Sequence, residues 1–225
     1  MGRLGVILGS SALGPGGGEI AAAAGEHGAA VVQRHSGDPY VLPHEIDHEG
    51  NLRALAEQGC DRVLAISSVG ALKPELTVGT LVSPDDFIAL HVGLSIFPDA
   101  RAHTAPGFDP AWRAEVLDAW RASGQVPRDG GTYWQTLGPR FETPAEIRLI
   151  AAHADVVGMT VASECILARE LGLQYAAICV VDNAANGLGE GELDVGELEA
   201  DRVVNATLVR DGLAAVLPRL GAVGR

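Results

Sequence analysis

Residues 155–183 read DVVGMTVASECILARELGLQYAAICVVDN, and they hold the clearest alternation in the chain. Residues 155–157 are a short apolar strand, 163–171 have helical spacing, and 174–181 form the most apolar run in the sequence, ending at Asp182-Asn183. An unbroken run of that length, bounded by polar residues, fits a strand covered on both faces. The same alternation continues outward. Strands are expected at 4–8, 29–34, 62–67, 80–82 (extended by 85–88) and 131–137. Helices are expected at 48–58, closed by Gly59, at 110–123 behind an Asp109 cap, and at 195–217. Thr143-Pro144-Ala145-Glu146 has the pattern of a capping box that opens one more helix. Residues 10–18 and 183–192 are Gly-rich loops, 68–74 is turn-rich, and 91–108 is the longest loop. Alternating strands and helices indicate an α/β fold, expected as one domain over residues 1–225 with a mixed, twisted central sheet flanked by helices. Ligands in such folds sit at the carboxyl ends of strands, so the polar strand-end loops are the places to examine.

Composition narrows the function classes. The 225 residues carry a formal charge of −13, with 47% hydrophobic and 20% charged residues. The excess acid argues against a nucleic-acid backbone as partner, which needs a basic face. Cys60, Cys165 and Cys179 are odd in number and have no CxxC spacing, so neither a disulfide framework nor a Cys-rich zinc site is expected. No apolar run reaches the roughly 20 residues that span a bilayer, and the apolar start is too short for a leader, so the expectation is a cytoplasmic protein without a membrane partner. Glycines number 29 and aromatics are only 4%, which implies many tight turns and close backbone approaches.

Seven short motifs fall at strand ends or loop junctions. Gly9-Ser10-Ser11-Ala12-Leu13-Gly14 follows the first strand, where small residues let N–H and hydroxyl groups approach an oxyanion; its spacing is neither that of a P-loop nor GxGxxG. Arg34-His35 ends the second strand, with Arg offering a planar fork of donors and His a further one. Ser67-Ser68-Val69-Gly70 follows a buried strand and can line a polar crevice. His44-Glu45-Ile46-Asp47-His48 matches HExxH, a zinc-hydrolase pattern, without the extended motif or flanking apolar periodicity. In Gly138-Pro139-Arg140-Phe141-Glu142-Thr143, Phe141 can stack on a planar heterocycle and Glu142 can accept an N–H. In Val157-Gly158-Met159-Thr160, followed by Glu164, the thioether suits a sugar and the hydroxyl a phosphate. Asp182-Asn183 closes the apolar strand, and Asn can both donate to and accept from a base edge. Each has a plainer reading as turn, cap or core.

Taken in this order, the elements resemble the trimeric nucleoside phosphorylase family, from about Leu4 to about Leu217. The most specific stretches are Gly138 to Glu146 and Asp155 to Glu170, supported by Arg34-His35 and Ser67 to Leu72. The resemblance implies reversible phosphorolysis of a purine nucleoside by a pentosyltransferase of purine salvage, with inorganic phosphate as co-substrate, no metal or organic cofactor, and a homotrimeric assembly. It implies that Ser10, Arg34, His35, Ser67 and Thr160 hold phosphate and that Met159 packs on the sugar. Phe141 would lie over sugar or base, while Ser68, Val69, Gly70 and Val157 line the base pocket. Glu142 and Asn183 match the residues that read N1–H and the N7/O6 edge of a 6-oxopurine, and Asn183 can donate to N7 as the purine leaves. At the 5′ end the family's His is replaced by Ala200, with Val203 and Val204 nearby, which suits an apolar 5′ group. Together the two ends point to 5′-methylthioinosine, with 5′-methylthioadenosine phosphorylase as the alternative. His103 is matched to a residue that reaches a neighbouring subunit's site. Pro39 stands where a second His is expected. Two other classes stand beside this one: a zinc hydrolase built on His44 and His48, and a non-catalytic nucleoside-binding protein.

Overall fold

A computed structural model describes residues 2–10, 17–35, 40–189 and 195–221, and among these residues there are nine strands and six helices. In chain order they are β1 (Arg3–Leu8), α1 (Gly17–Glu26), β2 (Ala30–Gln33), α2 (His48–Glu57), β3 (Cys60–Ala71), β4 (Leu81–Ser83), β5 (Asp86–Ile88), α3 (Pro110–Ala122), β6 (Arg128–Asp129), β7 (Thr132–Gln135), α4 (Pro144–Ile150), β8 (Val156–Gly158), α5 (Val161–Glu170), β9 (Gln174–Ala184) and α6 (Val195–Gly221). The expected α/β class with a mixed sheet is what forms. No helix of the described residues is long and apolar enough to cross a membrane.

The sheet is organised around β3 and β9, which run parallel from Arg62↔Gln174 to Ala71↔Ala184. Both are long, and β-strand geometry sends successive side chains to opposite faces. Val63 and Ala65 of β3 therefore enter one core with Leu52, Leu55, Cys165 and Tyr175, while Leu64 and Ile66 enter the other with Trp112, Trp120, Val209 and Leu213. Helices α2 and α5 cover the first face, and α1, α3 and α6 the second. Trp112 also donates its indole N–H to the Val63 carbonyl (2.8 Å), so its polar atom is satisfied inside the core.

The opposite edge of β3 creates the site. Strand β1 pairs along it in parallel as far as Leu8↔Ile66. Strand β8 takes over the same edge, antiparallel, only from Gly70↔Val157. Between these two partners, Ser67, Ser68 and Val69 have no strand beside them on that edge among the described residues. The diverging strands leave a crevice lined by the ends of β1, β3, β8 and β9.

Several sequence expectations change. The stretch read as turn after Ser67 is strand: β3 continues to Ala71 because β9 and β8 pair with its far half. The Gly-rich stretch expected to be loop as far as residue 18 gives way to α1 at Gly17, an Ala-rich helix that no sequence expectation covered. Strand β9 likewise runs two residues past Asp182, so Asn183 sits on strand rather than loop. The capping box holds: Thr143 Oγ1 accepts from the Glu146 N–H, and the Glu146 carboxylate accepts from the Thr143 N–H. HExxH does not form one helical face. His44 lies exposed in a single 3-10 turn, Pro43–Glu45; Ile46 is extended; and His48, buried, starts α2 behind an Asp47 cap. The i, i+4 helical pairing that a zinc hydrolase needs is therefore absent.

Candidate active site

The wall that carries the phosphate-binding candidates is assembled where β1, β2, β3 and α5 meet. Gly9 leaves β1 with its N–H bonded to the Ile66 carbonyl (3.0 Å), and Ser10 follows, its hydroxyl 3.1 Å from that of Ser68. Arg34 follows β2 directly and is 3% exposed. Its Nε and Nη2 donate to the two carboxylate oxygens of Glu164 (2.5 and 2.9 Å), and Nη1 donates to the Ile66 carbonyl (3.1 Å). Burial disfavours charge on both groups, but their mutual attraction and hydrogen bonds prevail. Arg34 is held above its ordinary pKa and Glu164 below its own, so the pair is ionised at neutral pH. A guanidinium has five N–H bonds. Among the described residues three are spent, which leaves one on each terminal nitrogen, and Arg34 lines the cavity.

His35 sits beside it, stacked on Tyr40 with ring centroids 4.8 Å apart and planes 6° apart. Its Nδ1 lies 2.9 Å from the Val41 carbonyl, which can only accept, so Nδ1 carries a proton. Burial pushes the ring pKa down to about 4; the Val41 bond opposes this and the Arg34 charge adds to it. At neutral pH the ring is thus neutral, and Nε2 presents a lone pair. The expected extra donor is an acceptor in this arrangement. Thr160 precedes α5 and makes no side-chain capping bond, so its hydroxyl is not spent on the helix end. Ser67 and Thr160 are both buried at the cavity wall, and the α5 N-terminus adds a field that favours an anion there.

The other wall carries the base-reading candidates. The Glu142 carboxylate accepts from the Thr136 hydroxyl (2.6 Å), and its main-chain carbonyl accepts from Asn186 Nδ2 (2.9 Å), which fixes the segment before α4. Asn183 extends from β9, its Nδ2 donating to the Ala184 carbonyl (2.7 Å). Phe141 is 39% exposed at the rim, which is where a ring free to stack must be. Met159 closes the side of the cavity. Gly138, whose missing Cβ would stand 2.6 Å from the Met159 sulfur, has φ +65°, a conformation that favours glycine.

Ser10, Arg34, His35, Ser67, Ser68 and Val69 thus line one cavity with Phe141, Glu142, Val157, Met159, Thr160 and Asn183. Gly70 does not line it; a Cβ there would come within 3.2 Å of Val157 Cγ1. Val203 and Val204 do not line it either: they are 55% and 68% exposed on α6. Neighbours on a helix point about 100° apart, and it is Arg202 that enters the cavity, its Nε 3.4 Å from Asp182 Oδ2. Ala200 is described only as helical backbone, and Pro39 lies outside the described residues. His103 is exposed after the turn Ala100–Ala102, away from the cavity.

Sequence reading assigned no site role to Tyr40, Pro43, Asp182 or Arg202. Asp182 is buried, and that burial raises its pKa against bonds from Asn205, Ser68 and Arg202. The signal available for it was its place at the end of an apolar strand, where a polar side chain needs partners. Arg202 had no signal beyond its helix.

A model of the Phosphorylase superfamily matches residues 14–218. The chain is 41% identical over 178 residues, 79% of its length and 73% of the relative's, to a probable 6-oxopurine nucleoside phosphorylase of Archaeoglobus fulgidus. It is 38% identical over 171 residues, 75% of its length and 60% of the relative's, to a probable S-methyl-5′-thioinosine phosphorylase of Methanothermobacter thermautotrophicus. Among solved structures, methylthioadenosine phosphorylase from Schistosoma mansoni superposes with a TM-score of 0.81 at 23% identity, covering 98% of this chain and 92% of that one. At that identity the likeness is one of fold.

Proposed function

The chain belongs to the phosphorylase superfamily, and on that premise we propose that it is a pentosyltransferase that cleaves a 6-oxopurine nucleoside with inorganic phosphate. A phosphate oxygen bonds to C1′ of the sugar, the C1′–N9 bond breaks with its electron pair passing to the purine, and the purine takes up one proton, matched by the one that the phosphate dianion gives up. The products are the free base and a sugar 1-phosphate. The observation that carries this is the single cavity with a buried Arg fork on one wall and a carboxylate–amide pair, Glu142 and Asn183, on the other.

The residues divide the work. The two uncommitted N–H bonds of Arg34, with the hydroxyls of Ser10, Ser67 and Thr160, hold phosphate beside C1′. Its negative charge there stabilises the oxocarbenium character that develops on the sugar. Neutral His35 accepts, at its Nε2 lone pair, a hydrogen bond from the one O–H of the phosphate dianion. Asn183 donates to N7 as charge grows on the purine, and Glu142 accepts N1–H. Adenine has no N1–H, so its lone pair would face the Glu142 carboxylate, which selects against it.

The favoured 5′ form is the methylthio group. Relatives named for methylthioinosine support it, as do the apolar atoms that Tyr40, Pro43 and Met159 bring to the lining. The valines expected for this role are not what supports it. The enzyme is read as a cytoplasmic homotrimer of purine salvage that works without metal or organic cofactor. The family resemblance supports the trimer, and so do Leu90, Leu137 and Leu149, exposed by 74%, 54% and 65% and suited to cover by a neighbouring copy. Comparing kcat/KM for methylthioinosine, inosine and methylthioadenosine with saturating phosphate tests the reading. The expected order places methylthioinosine first; methylthioadenosine first would overturn the assignment of Glu142, and inosine first that of the 5′ end.

A further inference from the structure

We propose that Glu164 is a positioning residue for phosphate, clamping Arg34 so that one N–H on each of its terminal nitrogens is held toward the cavity. The inference rests on the reading of Arg34 as a phosphate ligand. Glu164 is 1% exposed, does not itself line the cavity, and has no task in the reaction described above. Its carboxylate takes Nε and Nη2 of Arg34 side by side, the bidentate arrangement that fixes a guanidinium plane in direction as well as place.

Four further features surround the pair. The Tyr175 hydroxyl, buried in β9, donates to Glu164 Oε2 (2.6 Å) and fixes the carboxylate from behind. The Ile66 carbonyl takes Nη1. Gly9 lacks the Cβ that would stand 2.5 Å from Nη1 and 2.7 Å from that carbonyl, so the backbone of β1 closes on the guanidinium from the remaining side. Behind the pair, His48 Nδ1 lies 3.7 Å from Glu164 Oε1. An Arg free to swing would meet phosphate in many geometries; this one is presented in one.

A second consequence concerns charge. Glu164 cancels the formal charge of Arg34, so the clamp offers phosphate oriented donors rather than a bare cation. Loss of orientation and loss of the carboxylate charge therefore act on phosphate in opposite directions. Positioning requires that orientation prevail.

The test is a set of steady-state measurements on Glu164→Gln, Tyr175→Phe, Arg34→Ala and the double variant Arg34→Ala/Glu164→Gln, with thermal unfolding alongside. Glu164→Gln is expected to raise the KM for phosphate about 10- to 100-fold, the worth of a charge-assisted bond, while the KM for the nucleoside stays within about twofold. Tyr175→Phe, which keeps every charge and removes one hydroxyl, is expected to raise the phosphate KM by about three- to tenfold. It serves as the reading if Glu164→Gln does not fold. In the Arg34→Ala background, Glu164→Gln is expected to add nothing to the phosphate KM. A lower phosphate KM in Glu164→Gln, equal rises for both substrates, or full additivity in the double variant would each overturn the positioning role. An unchanged phosphate KM in Arg34→Ala alone would instead overturn the assignment of Arg34.

Discussion

Protonating His35 should destabilise the fold, by an amount that follows from its surroundings. The ring is 6% exposed, stacked on Tyr40, and beside the Arg34 guanidinium. Burial, opposed by the Val41 bond and aided by the Arg34 charge, brings its pKa from 6.5 in the unfolded chain to about 4 in the folded one. A folded pKa below the unfolded value means that, between the two, the unfolded chain binds the proton and the folded chain does not. Stability is therefore lost as pH falls through this window, starting near 6.5 and complete below 4. Linkage gives a loss of about 2 kcal/mol between pH 7.5 and pH 5, and about 3 kcal/mol in full. The perturbation is His35→Asn, which keeps an amide N–H for the Val41 carbonyl and does not titrate. The assay is urea unfolding of both proteins at pH 7.5 and pH 5 at one protein concentration, since any assembly adds its own term. The wild-type chain should lose about 2 kcal/mol more than His35→Asn over that interval. Equal losses would refute the reasoning, because they would mean that the ring takes up its proton in the folded state as readily as in the unfolded one.

Three other outcomes follow from the same site. Glu142→Ala should lower kcat/KM for inosine by about 10- to 100-fold and raise that for adenosine, since the 6-oxopurine loses a hydrogen bond while adenine loses only the carboxylate facing its N1 lone pair; the ratio of the two constants checks it. Asn183→Ala should lower kcat by about 100-fold with little change in KM, because its donation to N7 strengthens only as the base departs; single-turnover base release reports it. Gly9→Ala places a methyl group 2.5 Å from Arg34 Nη1. It should cost about 1–3 kcal/mol of stability and raise the phosphate KM, measured by denaturant unfolding and initial rates.

How much of this was legible in the sequence depends on the range of the interactions. Strands β1 and β9 are apolar runs, and the starts of α3 and α4 are written in Asp109-Pro110 and in the Thr143–Glu146 box; these signals are local and hold. Helix α1 begins at Gly17 amid glycines, with no Ser, Thr, Asp or Asn just before it in the sequence to announce it, although its alanines favour helix once begun. The outer half of β3 reads as a turn because Ser68 and Gly70 are weak strand formers; pairing with β9 and β8 makes it strand. In the site, residues within one motif were found together. Glu164 was visible beside Thr160, but its task depends on Arg34, which lies 130 residues away. The 5′ valines failed for a similar reason: proximity in sequence does not say which way a helix turns, and α6 sends Arg202 inward.

The central claim is that phosphate, and not water, takes the sugar from a purine. The most direct measurement is ³¹P NMR of the purified protein with methylthioinosine or inosine and inorganic phosphate, with the free base quantified in the same sample. Phosphate should be consumed and a sugar 1-phosphate should appear mole for mole with hypoxanthine, with no base released when phosphate is omitted. Base released at the same rate without phosphate, or no base released from any purine nucleoside, would contradict the account.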